Sequence, residues 1–152
     1  MAAVLAVYSG FDILQFIYSR SGRTWEMKMD KKEYAVELKH NGHNCAQAVL
    51  CAYAEEIGMS SRVMKKLGAG FGVGMGCMEA DCGALCAAQM ILGLKKYQDK
   101  PVLKDAAVLY RSFMDKCGAA LCKDLKGRDT GTVLCECDDC VRNAVEVLEE
   151  LL

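Results

Sequence analysis

The side chains in this sequence best suited to chemistry are its ten cysteines: Cys45, Cys51, Cys77, Cys82, Cys86, Cys117, Cys122, Cys135, Cys137 and Cys140. A thiolate is a nucleophile, an electron donor and a ligand for soft metals, so such a set can serve redox exchange or metal binding. Three of them follow a residue that commonly caps helices: Cys45 after Asn44, Cys82 after Asp81 and Cys140 after Asp139. In a helix's first turn the unpaired N–H groups and the dipole favour a thiolate. Glu79 and Asp81 beside Cys82, and Asp138 and Asp139 beside Cys140, oppose that effect. Cys45 has His43 nearby and no acid, which makes it the leading candidate for an activated thiol.

Other spacings add candidates. Cys82 and Cys86, four apart, fall on one face of a helix, and "CECDDC" gathers Cys135, Cys137 and Cys140 densely enough to bind a soft metal. Paired CxxC motifs at zinc-ribbon spacing are absent. The single CxxC, Cys137 to Cys140, lacks the βαβ setting of thioredoxins, and no CxxCH offers covalent haem attachment. Cys51, Cys77, Cys86 and Cys117 read as small core hydrophobes, although ten thiols together argue against a purely structural account. His40 and His43 flank a turn and could assist or co-ligate with Cys45; solvent-exposed turn histidines are the simpler reading.

The elements that must position these groups are helical. Pro101 is the one proline, threonine occurs only at 24, 130 and 132, and Ala, Leu, Met, Glu and Lys are abundant. The spacing predicts helices over 31–40, 45–57, 60–67, 82–92, 102–116, 119–126 and from about 138 to the end. Asn44 and Gln47 form a capping box, Gly58 closes that helix, and Asp81 and Asp138 or Asp139 serve as caps further on. Apolar residues surround the helix beginning at Cys45, which places it at the centre of a bundle. The expected fold is all-α: a compact single-domain bundle of six or seven helices with a Gly-rich connection.

That connection, "GAGFGVGMG" over 68–76, invites a phosphate-loop reading. The register fails, because G-x-G-x-x-G needs glycine where Val73, Met75 and Cys77 stand, and no Gly-Lys-Ser/Thr follows. Close packing and turn formation are the favoured role.

At 152 residues the chain does not need disulfides to stay folded, and 19 basic against 20 acidic residues give no field for nucleic acid or anionic lipid. Residues 1–26 differ in texture from the rest. They lack a basic residue before Arg20 and carry Asp12, so they make a poor signal peptide, and they are too interrupted for a membrane span. They read as an extension, disordered or an upstream start-site artefact, with the domain proper at 27–152; a native mass that includes them overturns the artefact. The expected compartment is the cytosol, where thiols stay reduced.

The stretches "NCAQAVLCAYAEEIG", "GAGFGVGMG", "DCGALCAAQMILGL", "LCKDLKG" and "CVRNAVEVLEELL" together resemble, in order, the redox-active proteins named for a C_GCAxxG_C_C pattern. The resemblance covers roughly Lys31–Leu152. It implies redox chemistry with an unidentified redox partner, four characteristic cysteines and a CGAxxG motif. By position these cysteines are Cys45, Cys82, Cys122 and Cys140, and the motif departs from the pattern at Ala87, which replaces its last glycine. The same four read alternatively as ligands of zinc or an iron–sulfur cluster. Cys86, Cys135 and Cys137 lie close enough in sequence to extend a relay or a metal site.

Overall fold

The computed structural model describes residues 14–16 and 27–152, with side chains from Asp30 onward. The reading of 1–26 as an extension falls outside the described residues, apart from 14–16. The chain divides into two units, Met1–Asp30 and Lys31–Leu152. In the first, β1 (Leu14–Phe16) pairs antiparallel with β2 (Met27–Met29), Leu14 opposite Met29 and Phe16 opposite Met27. Each strand reads apolar-polar-apolar, a period of two too short to stand out in the sequence.

The second unit is all-α. It contains α1 (Lys31–His40), α2 (Cys45–Ala52), α3 (Ala54–Ile57), α4 (Ser61–Gly68), α5 (Gly83–Lys96), α6 (Leu103–Cys117), α7 (Cys122–Leu125) and α8 (Cys137–Glu149), with a wide irregular turn at Gly74–Met78. The count exceeds the expected six or seven because the helix foreseen over 45–57 breaks at Tyr53, whose φ of −104° and ψ of 0° end α2. As its apolar circumference predicts, α2 is central, packed against α1, α4, α5 and α8. Val49, Leu50, Met64, Leu85, Ile91, Leu109, Phe113, Val141 and Leu148 are buried in one core.

Asn44 does two jobs. Its Oδ1 accepts the Gln47 N–H at 2.8 Å, closing the capping box, while Nδ2 donates to the carbonyls of Gly68 and Ala69 at 3.0 and 3.2 Å. It thus caps α2 and anchors the Gly-rich run beside it. Asn44→Ala is expected to lose about 2 kcal/mol in a denaturant titration, and Asn44→Asp, which keeps the cap but not the amide donors, about 1 kcal/mol.

Two expected caps are not used as such. Asp81 joins an antiparallel bridge with Leu121, in which Cys82 N–H donates to Ala120 O at 2.8 Å and Cys122 N–H to Ala80 O at 3.0 Å. Its carboxylate accepts from Tyr110 Oη at 3.3 Å, and Cys82 itself takes the N-cap position of α5. The last helix is capped at Glu136, so Asp138 and Asp139 fall in its first turn. There Asp138 pairs with Lys39 and His40, and Arg142 joins Asp139 to Glu33, tying α8 to α1.

Candidate functional site

All ten cysteines are free, and the structure brings most of them to one place. Cys45 opens α2, Cys82 precedes α5, Cys122 opens α7, and α8 carries Cys137 at its first position and Cys140 one turn on. The Asp81–Leu121 bridge holds the starts of α5 and α7 side by side. Gly83 lets α5 approach closely: a Cβ there would lie 2.3 Å from Phe71 O and 2.8 Å from Cys45 Sγ.

The sulfurs form a chain of contacts. Cys137 meets Cys45, Cys45 meets Cys82, Cys82 meets Cys140, and Cys140 meets Cys117 and Cys135. The CxxC is therefore not a pair with itself: its first thiol faces Cys45 and its second faces Cys82. Cys82 is 3% exposed and Cys140 fully buried, whereas Cys137 at the other end is half-buried.

Two thiols of the group are lowered: Cys117, to about 6 by Cys140 and, against burial, by Asn143 and Cys135, and Cys82 further still. The Cys140 and Cys45 thiols donate to its sulfur and, against the opposing effect of burial and with help from the Leu85 and Ala84 N–H groups at the start of α5, pull it from 9.0 down to about 4. The thiols that donate are held up in exchange. Cys140 is raised by its bonds to Cys117 and Cys82 and by burial; Cys137 by its bond to Cys45 and by burial. Cys45 is lowered by Cys137 but raised more by Cys82 and burial, so its net direction is upward. This corrects the expectation that Cys45 is the activated thiol. His43 gives it no help, since its Nδ1 bonds Leu38 O at 2.8 Å, and His40 bonds Asp138. The acids feared at Cys82 are turned away, Glu79 to Lys123 and Arg128 and Asp81 to Tyr110.

A thiolate at Cys82 has a measurable sign. Its folded value of about 4 lies below its ordinary 9.0, so its contribution to stability is complete above about pH 9 and is lost as pH falls through about 4. The expected result is a thiolate ultraviolet absorbance in reduced protein with one component lost near pH 6, from Cys117, and a second that persists below it and disappears in Cys82→Ser.

The remaining sulfurs divide. Cys122 packs its Cβ against Gly74, where an added Cβ would sit 2.6 Å away, and burial raises its thiol. Cys86, one turn beyond Cys82, is half-buried and pushed up to about 11 by burial and then by Asp81. Cys51 is a buried packing thiol as expected, but Cys77 is exposed on the irregular turn, not in the core. Cys117, assigned to packing by sequence, belongs with Cys135 and Cys140: their sulfurs lie within 4.8 Å of one another, the one such group of ligand atoms among the described residues. Of the four positions named by resemblance, that group includes only Cys140. Sequence reasoning also missed Lys126, whose Nζ lies 3.7 Å from Cys140 Sγ, and Asn143, three residues after Cys140 and so on the same helical face. Burial alone would lower Lys126, yet Cys140 and then Cys137, Cys82 and Cys122 hold it above its ordinary value.

Comparison with known families decides the chain's kinship. Residues 43–151 match the family model described as "Putative redox-active protein (C_GCAxxG_C_C)". The chain belongs to the C_GCAxxG_C_C family. The match begins just before Asn44 and runs through α8, so it contains every cysteine of the sulfur chain. No curated protein and no solved structure matched. Among the described residues no helix is long and apolar enough to cross a membrane.

Proposed function

We propose that this member of the family is a cytosolic thiol–disulfide redox protein whose working couple is Cys45–Cys82. The observation that carries the reading is the position of Cys82, with a thiol on either side and a route through Cys45 to the half-buried Cys137. Cys45 leads to the half-buried Cys137, whereas Cys140 leads to Cys117 and Cys135, both buried; this favours Cys45 as the exchanging neighbour.

Starting from a Cys45–Cys82 disulfide, the Cys137 thiol gives up its proton to solvent and attacks Cys45 Sγ, forming Cys45–Cys137 and releasing Cys82 as a thiolate, the leaving group its surroundings favour; Cys137 takes a proton back when it is freed in the last step. A partner dithiol then attacks Cys137, freeing Cys45, which takes up a proton. The partner's second thiol closes its own disulfide and frees Cys137. The protein gains two electrons and one proton, since Cys82 stays a thiolate; the partner loses two electrons and two protons, the second proton going to solvent, and the reverse sequence oxidises the protein.

Anaerobic titration in dithiol/disulfide buffers, with disulfides mapped by mass spectrometry and metal content measured, tests this. Metal-free protein with a reversible two-electron couple at Cys45–Cys82 supports it. Stoichiometric zinc or iron lost in Cys82→Ser would instead favour a metal centre at Cys45, Cys82, Cys122 and Cys140. Cys137→Ser is expected to slow exchange with a protein dithiol and leave the equilibrium potential unchanged.

A further inference from the structure

The inner end of the sulfur chain has a different character from the outer. Cys117 ends α6, Cys135 lies in the loop before α8 and Cys140 is in its first turns, so three separate segments converge. All three residues are buried, and their sulfurs lie within 4.8 Å of one another. Three ligands around one ion with metal–sulfur bonds of about 2.3 Å sit about 4 Å apart, so small side-chain adjustments close the set.

The surroundings suit thiolates. Asn143 Nδ2 donates to Cys117 Sγ at 3.3 Å and lies 3.9 Å from Cys135 Sγ, while the Lys126 ammonium is 3.7 Å from Cys140 Sγ. Each sulfur thus has an N–H donor, the outer-shell pattern that orients and tunes metal ligands. Lys126 is itself fixed by Cys135 O at 2.9 Å. A groove of about 490 Å³, lined by the basic Lys32, Lys116 and Arg142 as well as by acidic residues, opens onto Cys135 and Asn143 and gives an ion a way in.

We propose that Cys117, Cys135 and Cys140 form a three-thiolate site for copper(I). The donor set is all sulfur, which selects soft ions. Among the described residues no further Cys, His or carboxylate atom joins the group, whereas zinc characteristically takes four ligands. Counted from three neutral thiols, binding breaks three S–H bonds, forms three S–Cu bonds and releases three protons, one fewer where Cys117 is already a thiolate; the site then carries two negative charges, one of them offset by Lys126. Cys117 and Cys135 are not among the four cysteines of the family pattern, so this site goes beyond the redox couple and meets it only where Cys140 touches Cys82.

The test adds copper(I), as its acetonitrile complex, to anaerobically reduced full-length protein in the presence of a competing chelator. Cysteines are then alkylated and mapped by mass spectrometry. The first equivalent is expected to produce a sulfur-to-copper charge-transfer band and to protect Cys117, Cys135 and Cys140, in wild type and in Cys82→Ser alike. Asn143→Leu, which leaves the ligands in place, should weaken binding roughly 10- to 100-fold, and Cys135→Ala by more than that. Protection of Cys45, Cys82 or Cys122 in place of the three overturns the proposal, as does zinc(II) binding the three at least as tightly, or no retained copper. Because the footprint is read in wild type and in Cys82→Ser, its outcome is independent of whether the Cys45–Cys82 couple exists.

Discussion

Cys82→Ser is expected to remove the Cys45–Cys82 couple and leave a Cys45–Cys137 disulfide more reducing by on the order of 60 mV, about a hundredfold in equilibrium constant. The direction follows from which form the protein stabilises. In reduced wild-type protein, Cys82 is a thiolate at about pKa 4, supported by the Cys140 and Cys45 thiols and the first N–H groups of α5. Oxidation forfeits that support, so the disulfide accepts electrons readily and the proposed wild-type couple should be oxidising. Cys45 and Cys137 are both held above their ordinary values, so the pair left in the variant has no comparable thiolate to stabilise. Cys122→Ser is the matched control. Its sulfur is outside the chain of contacts, and the potential should move by less than roughly 30 mV, a tenfold change. If Cys122→Ser and Cys82→Ser shift the potential equally, the couple is not where the sulfur contacts place it.

What the sequence revealed about this site depended on the range of the interactions involved. The Asn44–Gln47 box and Gly58 are local devices, and both sit where the sequence indicates. Cys45 and Cys82 could be placed at helix starts for the same reason. Asp81 could not be read correctly, because its role is decided by Leu121 and Tyr110, distant residues with no local signature. Asp138 and Asp139 resembled caps but are drawn off by Lys39, His40 and Arg142, and the helix begins before both of them, at Cys137. Acids beside Cys82 left its thiol pKa undecided by sequence; the sign is set by the Cys140 and Cys45 thiols, which reach it only through the fold. Cys117 had no legible partner at all, since Cys135 and Cys140 reach it only through packing of α6 against α8.

Gly83→Ala should be the single-methyl change most damaging to the sulfur site, lowering stability by about 3 kcal/mol and Tm by roughly 10 °C. Gly83 is the glycine of the CGAxxG motif, and its position explains why a side chain is costly there. The new Cβ would meet Phe71 O at 2.3 Å and Cys45 Sγ at 2.8 Å. The first contact is with backbone, which cannot rotate away, so either the start of α5 or the Gly-rich run must move. Either movement separates Cys45 from Cys82, and the variant should lose the couple even where it remains folded. Gly76→Ala makes the contrast. Nothing lies within 4 Å of a Cβ at Gly76, and its φ of +79° sits beside Val73 and Met75, which already tolerate φ of 54° and 57°. That change costs only the left-handed backbone term, about 1 kcal/mol. Thermal melts of the two variants, each followed by disulfide mapping, separate close approach at Gly83 from backbone strain at Gly76; equal losses would mean that the contact between α5 and Cys45 does not position the couple.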